Sequence, residues 1–178
     1  MISSALALEP RRCEEDRRDA KSLWNGKRSM NFISLTEKPE LTHDLIQNME
    51  QNSDWHEIIP WLREMTASCG NDTLPIIRLA FDGEDMIGFL VIAEKELLKD
   101  DLPYKLWLGI LMVFDRFRGR GYSPAMIEEA CRITAKAGYA ALYLATDHIR
   151  YYERFGFEEI GLATYQWNAP TKLYRRFI

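Results

Sequence analysis

The most constraining feature of this chain is an apolar run that ends in a glycine-containing turn and passes straight into an amphipathic helix. Leu106, Trp107, Leu108, Ile110, Leu111, Met112 and Val113 form the run, the pattern of a strand buried on both faces. Residues 113–123 then read Val-Phe-Asp-Arg-Phe-Arg-Gly-Arg-Gly-Tyr-Ser. Beyond them Met126, Ile127, Ala130, Ile133, Thr134 and Ala137 recur at helical spacing. Ser123 is a good N-cap and Pro124 suits a first turn where the missing N–H does no harm, so the helix is expected to start there. A strand, a glycine turn and a helix N-terminus together aim several unpaired N–H groups at one point, which attracts an anion.

The 178 residues suffice for one domain with a core that needs neither disulfides nor metal. A net charge of −4 argues against sequence-independent nucleic-acid binding. Cys13, Cys69 and Cys131 are scattered and odd in number, which fits a reducing cytoplasmic location rather than a disulfide framework. His43, His56 and His148 form no pair with metal-site spacing, so no metal is expected. No run approaches the roughly 20 apolar residues needed to span a bilayer, and no membrane association is expected.

Residues 1–29 are rich in arginine and acids and read as a tail, disordered or loosely docked, with Trp24 as its best apolar anchor. The folded domain is expected to occupy residues 30–178. A first strand opens at Met30; residues 39–51 and 54–66 read as two helices framing a substrate entrance; residues 74–81 and 86–93 form a hairpin, with turn signals at Asn71-Asp72 and Asp82-Gly83. A charged loop covers residues 94–105. After the central helix, which Gly138 stops, come a strand at 140–145, a helix at 148–155 ended by Gly156, a strand at 157–160 and a terminal hairpin of 165–167 with 172–178. This order predicts an α+β domain, a mixed sheet with helices on its faces.

Two blocks carry a family resemblance. Arg118-Gly119-Arg120-Gly121-Tyr122-Ser123 resembles the Q/R-x-x-G-x-G/A cradle of the GNAT superfamily of acetyl-CoA-dependent N-acetyltransferases, with Ser123 standing where Gly or Ala is usual. Tyr152-Glu153-Arg154-Phe155-Gly156-Phe157 resembles the family's Tyr-x-x-x-Gly-Phe segment. The resemblance runs from about Met30 to the C-terminus and implies a mostly antiparallel central sheet flanked by helices.

It also implies acetyl-CoA as cosubstrate. Its pyrophosphate would be held by the backbone of Arg118, Gly119, Arg120, Gly121, Tyr122 and Ser123, and its pantetheine arm would pair with the strand end at Leu111, Met112 and Val113. Arg118 and Arg120 could add contacts to phosphate, whereas Arg116 is read as solvating the turn. Tyr152 is expected to protonate or hydrogen-bond the departing thiolate, with Tyr151 as its competitor. The strand at 106–112 holds no acid, so the group that takes the amine's proton stays open among Glu94, Glu96, Asp100, Asp101, Asp147, His148 and a water. The acceptor is expected to be a small-molecule amine. Protein or peptide acetylation and an acyl-CoA sensor without turnover are the alternatives. The aromatic, apolar C-terminal strands could pair two copies as a homodimer.

Overall fold

The computed structural model describes residues 30–52, 55–68 and 74–178. The tail with Trp24, the start of the second helix at Asp54 and the Asn71-Asp72 turn lie outside the described residues.

Strand β1 (Met30–Ser34) leads through a 3₁₀ turn at Pro39–Leu41 into helix α1 (Thr42–Glu50), which buries Leu45, Ile46 and Met49 on one face. A second 3₁₀ turn, His56–Ile58, opens helix α2 (Ile59–Ser68). Pro60 falls in its first turn, where no intrahelical donor is needed. Strands β2 (Ile76–Asp82) and β3 (Asp85–Ala93) form a hairpin whose turn carries Gly83 at φ +63°. Strand β4 (Trp107–Val113) passes through a 3₁₀ turn at Asp115–Phe117 into helix α3 (Ser123–Lys136). Strands β5 (Ala141–Thr146), β6 (Glu158–Thr164) and β7 (Pro170–Phe177) complete one seven-stranded sheet in the order β1-β2-β3-β4-β5-β7-β6.

Every neighbouring pair is antiparallel except β4 with β5. That parallel pair is joined at its start, where Trp107 stands opposite Tyr143 and the Tyr143 N–H donates to the Leu106 carbonyl at 3.0 Å. The ladder does not continue, so the C-terminal ends of both strands stand apart and open a wedge in the sheet. Crevices at the carboxyl ends of parallel strands are where open sheets bind ligands. The core runs through β3, which buries every residue from Met86 to Ile92, and through Met126, Ile127, Ala130 and Ile133 of α3, which packs on β3, β4 and β5.

Three local expectations need correction. Residues 148–155 do not form a helix: Arg150 takes a left-handed backbone (φ +60°), which interrupts helical winding, and only Tyr152–Phe155 closes a 3₁₀ turn. The strand expected to end at Ile160 runs on to Thr164 because Gly161 sits beside a bulge instead of terminating it. Tyr165 and Trp167 therefore belong to the β6–β7 turn. Ser123 is the first residue of α3 rather than its cap: Tyr122 already has helical dihedrals, and no side chain caps the helix.

Candidate active site

The cradle expected from the sequence is built at the end of β4. Gly119 and Gly121 both take left-handed backbone, at φ +72° and +77°, which L side chains rarely adopt. The N–H groups of Gly119, Arg120 and Gly121 meet no acceptor among the described residues, and the N-terminus of α3 follows directly. The turn is braced from outside. Buried Asn52 accepts the Asp115 N–H at 2.9 Å through Oδ1, tying the residues after α1 to the turn. Tyr122 is buried against Phe117, and its hydroxyl donates to Asp82 Oδ2 at 2.7 Å, so its side chain is a strut to β2.

The arginines divide as their contacts dictate. Arg116 donates to Asn48 Oδ1 and stacks on Phe117, holding the turn to α1. Arg118 pairs with Asp115 at 2.9 Å, and its Nε donates to the Val113 carbonyl. Arg120 has its guanidinium 5.5 Å from the Phe117 ring centre. On β4, Met112 is buried while Leu111 and Val113 are half-buried, opposite Phe89, Leu90 and Gly88 respectively. Gly88 is required there: a Cβ on it would stand 2.0 Å from the Met112 carbonyl oxygen.

Across the wedge, the 3₁₀ turn after β5 presents Tyr152. Its ring is packed edge-on against Tyr151 and Phe157, and its hydroxyl has no hydrogen-bond partner among the described residues. Burial raises the phenol above its ordinary value, so it stays a neutral O–H donor at working pH. Tyr151 is half-buried, with His148 tilted and Phe155 edge-on against its ring and the Arg154 guanidinium over it.

Among the candidates for proton acceptor, the structure separates Glu96 from the rest. Register in the β3–β4 pair slips at Gly109, a bulge in β4. A Cβ on Gly109 would lie 3.7 Å from Glu96 Oε2, so the carboxylate rests on the strand where the bulge bares it. Glu96 is half-buried, and desolvation pushes its pKa up to about 7 although the Leu97 N–H donates to Oε1 at 3.0 Å. Glu94 faces Lys105 at 3.8 Å and Asp101 pairs with Lys95 at 2.7 Å, both on the surface. Asp100, Asp147 and His148 are exposed.

Tyr165 was not legible in the sequence. Its hydroxyl donates to the Ala145 carbonyl at 3.1 Å, at the open end of β5, and burial raises its phenol above the ordinary value. It reaches this place because Leu98 pairs with it across an isolated bridge, docking the 94–105 loop on the β6–β7 turn. No local pattern in the chain signals that contact.

The sequence profile of the Acetyltransferase (GNAT) family matches residues 38–157, more than half of the chain. The chain belongs to that family. It is therefore an acyltransferase of the GNAT type, and its mixed seven-stranded sheet with flanking helices is the GNAT fold. A GNAT-family protein from Desulfovibrio desulfuricans superposes with a TM-score of 0.63 at 18% identity, covering 84% of this chain and 99% of that one. A GNAT acetyltransferase from Elizabethkingia anophelis, crystallised with acetyl-CoA bound, gives 0.58 at 13% identity, with 85% and 100% covered. One from Staphylococcus aureus gives 0.55 at 14% identity, with 84% and 99% covered. No protein of curated function matches the chain significantly.

The residues of this acetyltransferase fit the pyrophosphate of a coenzyme A ester. Left-handed glycines free of side-chain bulk, unpaired N–H groups and a helix N-terminus converge on one turn. Among the described residues no group of three or more His, Cys, Asp or Glu could hold a metal ion, and no helix is long and apolar enough to cross a membrane.

Proposed function

We propose that this acetyltransferase moves the acetyl group of acetyl-CoA to the primary amine of a small molecule. The observation that carries the reading is the Glu96 carboxylate laid on the bulge of β4, its pKa raised to about 7, together with a Tyr152 hydroxyl that has no hydrogen-bond partner among the described residues. The backbone of residues 118–123 holds the pyrophosphate, and the strand end at Leu111, Met112 and Val113 pairs with the pantetheine arm. Glu96, directly or through one water, takes a proton from the substrate ammonium. The freed nitrogen lone pair forms the C–N bond at the thioester carbonyl, the C–S bond breaks, and the sulfur leaves with the electron pair. Tyr152 donates its O–H to that sulfur. Because burial raises the phenol well above a thiol near ~8.5, its role is a hydrogen bond to the thiolate rather than complete proton transfer.

The Glu96 carboxylate beside β4, a strand that itself holds no acid, supports turnover over the sensor reading. Exposed Leu162 on the edge strand β6, with Phe177 and Ile178, supports a homodimer, which sedimentation of the full chain measures. The deciding experiment for function is thiol release by purified protein with acetyl-CoA and a panel of polyamines, aminoglycosides, amino acids, simple alkylamines and peptides. Turnover of a small amine is expected. Tight acetyl-CoA binding with no turnover of any acceptor would favour the sensor, and turnover of peptides alone would favour a protein acetyltransferase.

A further inference from the structure

The cavity beneath the 94–105 loop speaks to the acceptor. It has a volume of ≈ 360 Å³, and Glu96 and Trp107 both line it. Glu96 ties it to the reacting centre, because its Oε2 would stand 3.7 Å from a Cβ on Gly109 of β4. Trp107 ties it to the strand itself: it stands two residues before Gly109, roughly 7 Å along β4, at the point where β4 still pairs with β5. The strand therefore runs from this cavity, past Glu96 at Gly109, to residues 111–113 and the cradle. Cofactor and acceptor approach from opposite ends of one strand and meet at the Glu96 carboxylate. The larger cleft beside α2, ≈ 520 Å³, is not lined by Glu96 and has no such tie.

Its walls are apolar and held in place. Leu98, Leu102, Tyr104 and Trp107 form them; the Tyr104 ring stacks on Tyr143 at 4.6 Å, and the Trp107 indole N–H donates to the Tyr104 carbonyl at 3.2 Å. The charged groups sort by what they already hold. Lys95 is neutralised by Asp101 at 2.7 Å, and Lys99 is drawn to Asn168 in the β6–β7 turn. Glu96 and Asp100 have no cationic partner among the described residues, and the exposed Gln166 side-chain amide makes no hydrogen bond among them. The lining thus offers a half-buried acid on the strand, an exposed acid and an amide carbonyl at the mouth, and apolar walls. A primary ammonium at Glu96 and a second cation at Asp100 and the Gln166 carbonyl satisfy both ends, and a hydrocarbon chain joining them covers the walls. An aminoglycoside would instead bury hydroxyls against Leu98, Leu102 and Trp107 with nothing to pair them, in a volume at the small end of the ~300–1,000 Å³ of small-molecule sites.

We infer that this cavity is the acceptor subsite and that the acceptor is a primary diamine with a hydrocarbon spacer, one nitrogen at Glu96 and the other at Asp100. The inference rests on the acetyl-transfer reading above. The reacting nitrogen enters as R–NH₃⁺, gives one proton to Glu96, forms the amide C–N bond and gives up its second proton to water after the C–S bond has broken and the sulfur has left with the electron pair. The second nitrogen stays an ammonium throughout.

The test compares 1,4-diaminobutane and 1,6-diaminohexane with n-butylamine and n-hexylamine in the thiol-release assay of the full chain. With the statistical factor for two equivalent nitrogens divided out, each diamine is expected to give about fivefold higher kcat/KM than its matching monoamine. Asp100→Asn should erase that preference and Asp100→Lys should invert it. Leu102→Ala, which removes part of the apolar wall, should raise KM for both members of each pair about fivefold. Calorimetric titration of 1,6-diaminohexane into the protein saturated with coenzyme A should show the matching loss of affinity in Asp100→Asn, and a circular dichroism melt verifies that the variants fold. No preference for the diamines, or a preference that survives Asp100→Asn, would overturn the subsite and leave acetyl transfer standing. Acetyl-CoA binding without turnover of any amine would overturn both.

Discussion

Glu96 and Gly109 are in near contact at the central strand β4: a methyl group on the glycine would sit 3.7 Å from Glu96 Oε2. The bulge in β4 thus leaves open a place where a carboxylate from the preceding 94–105 loop lies against the central strand. Its desolvation raises the pKa to about 7, near the value at which a base is both ionised and strong enough to take a proton. The kcat/KM profile is expected to rise with pH through an apparent pKa of about 7. In Glu96→Gln that acid limb should vanish, with kcat lowered about 100-fold or more. A wild-type limb retained in the variant would assign the proton acceptor elsewhere.

The same carboxylate has a stability signature. Its folded pKa, about 7, lies above the ordinary 4.5, so the native state binds the proton more tightly than the unfolded chain. Stability therefore falls as pH rises from 4.5 through 7 and stays lower above it. Glu96→Gln should match wild type at pH ~4 and exceed it at pH ~8 by on the order of 2 kcal/mol, measured by urea denaturation.

Tyr152→Phe removes a hydroxyl that has no hydrogen-bond partner among the described residues, so folding should be unaffected and the melting temperature unchanged. The loss should appear in turnover. We expect kcat to fall roughly 10- to 100-fold with acetyl-CoA affinity preserved, read by pre-steady-state thiol release and by calorimetric titration. An unchanged kcat across the pH range would remove Tyr152 from the mechanism.

Gly88→Ala places a methyl group 2.0 Å from the Met112 carbonyl oxygen, which is backbone and cannot swing aside. The strands must part at the end of β4 that leads into the cradle. A destabilisation of about 3 kcal/mol or more is expected, lowering the melting temperature by roughly 10 °C.

Within the cradle, two substitutions separate conformation from chemistry. Gly121 is at φ +77° with open space around it, so Gly121→Ala costs about 1 kcal/mol of backbone strain without a clash and should weaken acetyl-CoA binding several-fold. Ser123 makes no capping bond, so Ser123→Gly should leave that affinity within about twofold. A large loss in Ser123→Gly would make its hydroxyl a ligand.

The cradle was legible because its determinants are consecutive. Glycines at left-handed positions, a proline in the second helical position and an apolar strand ahead of them each act within a few residues. The helix expected to open at Ser123-Pro124 and to be stopped by Gly138 runs over Ser123–Lys136 in the structure. The 148–155 helix was misread because periodicity carried no mark of the left-handed Arg150 that breaks it, and Ser123 because capping preference cannot tell which residue turns helical first. Glu96 stood among the candidates for the base but could not be ranked from the chain alone, and Tyr165 had no signal, lying in a turn whose position depends on the pairing of Leu98.

The sequence by itself determined most of the strands and helices up to β5, the anion-binding turn and the family, because these follow from backbone preference and from residues adjacent in the chain. Only the tertiary structure decided which acid approaches the central strand and that the Tyr152 hydroxyl has no hydrogen-bond partner among the described residues. Those depend on a bulge at Gly109, on the single point at which β4 and β5 pair, and on how far packing withdraws a carboxylate from water. Desolvation is a property of neighbours distant in sequence, and no stretch of the chain carries it alone.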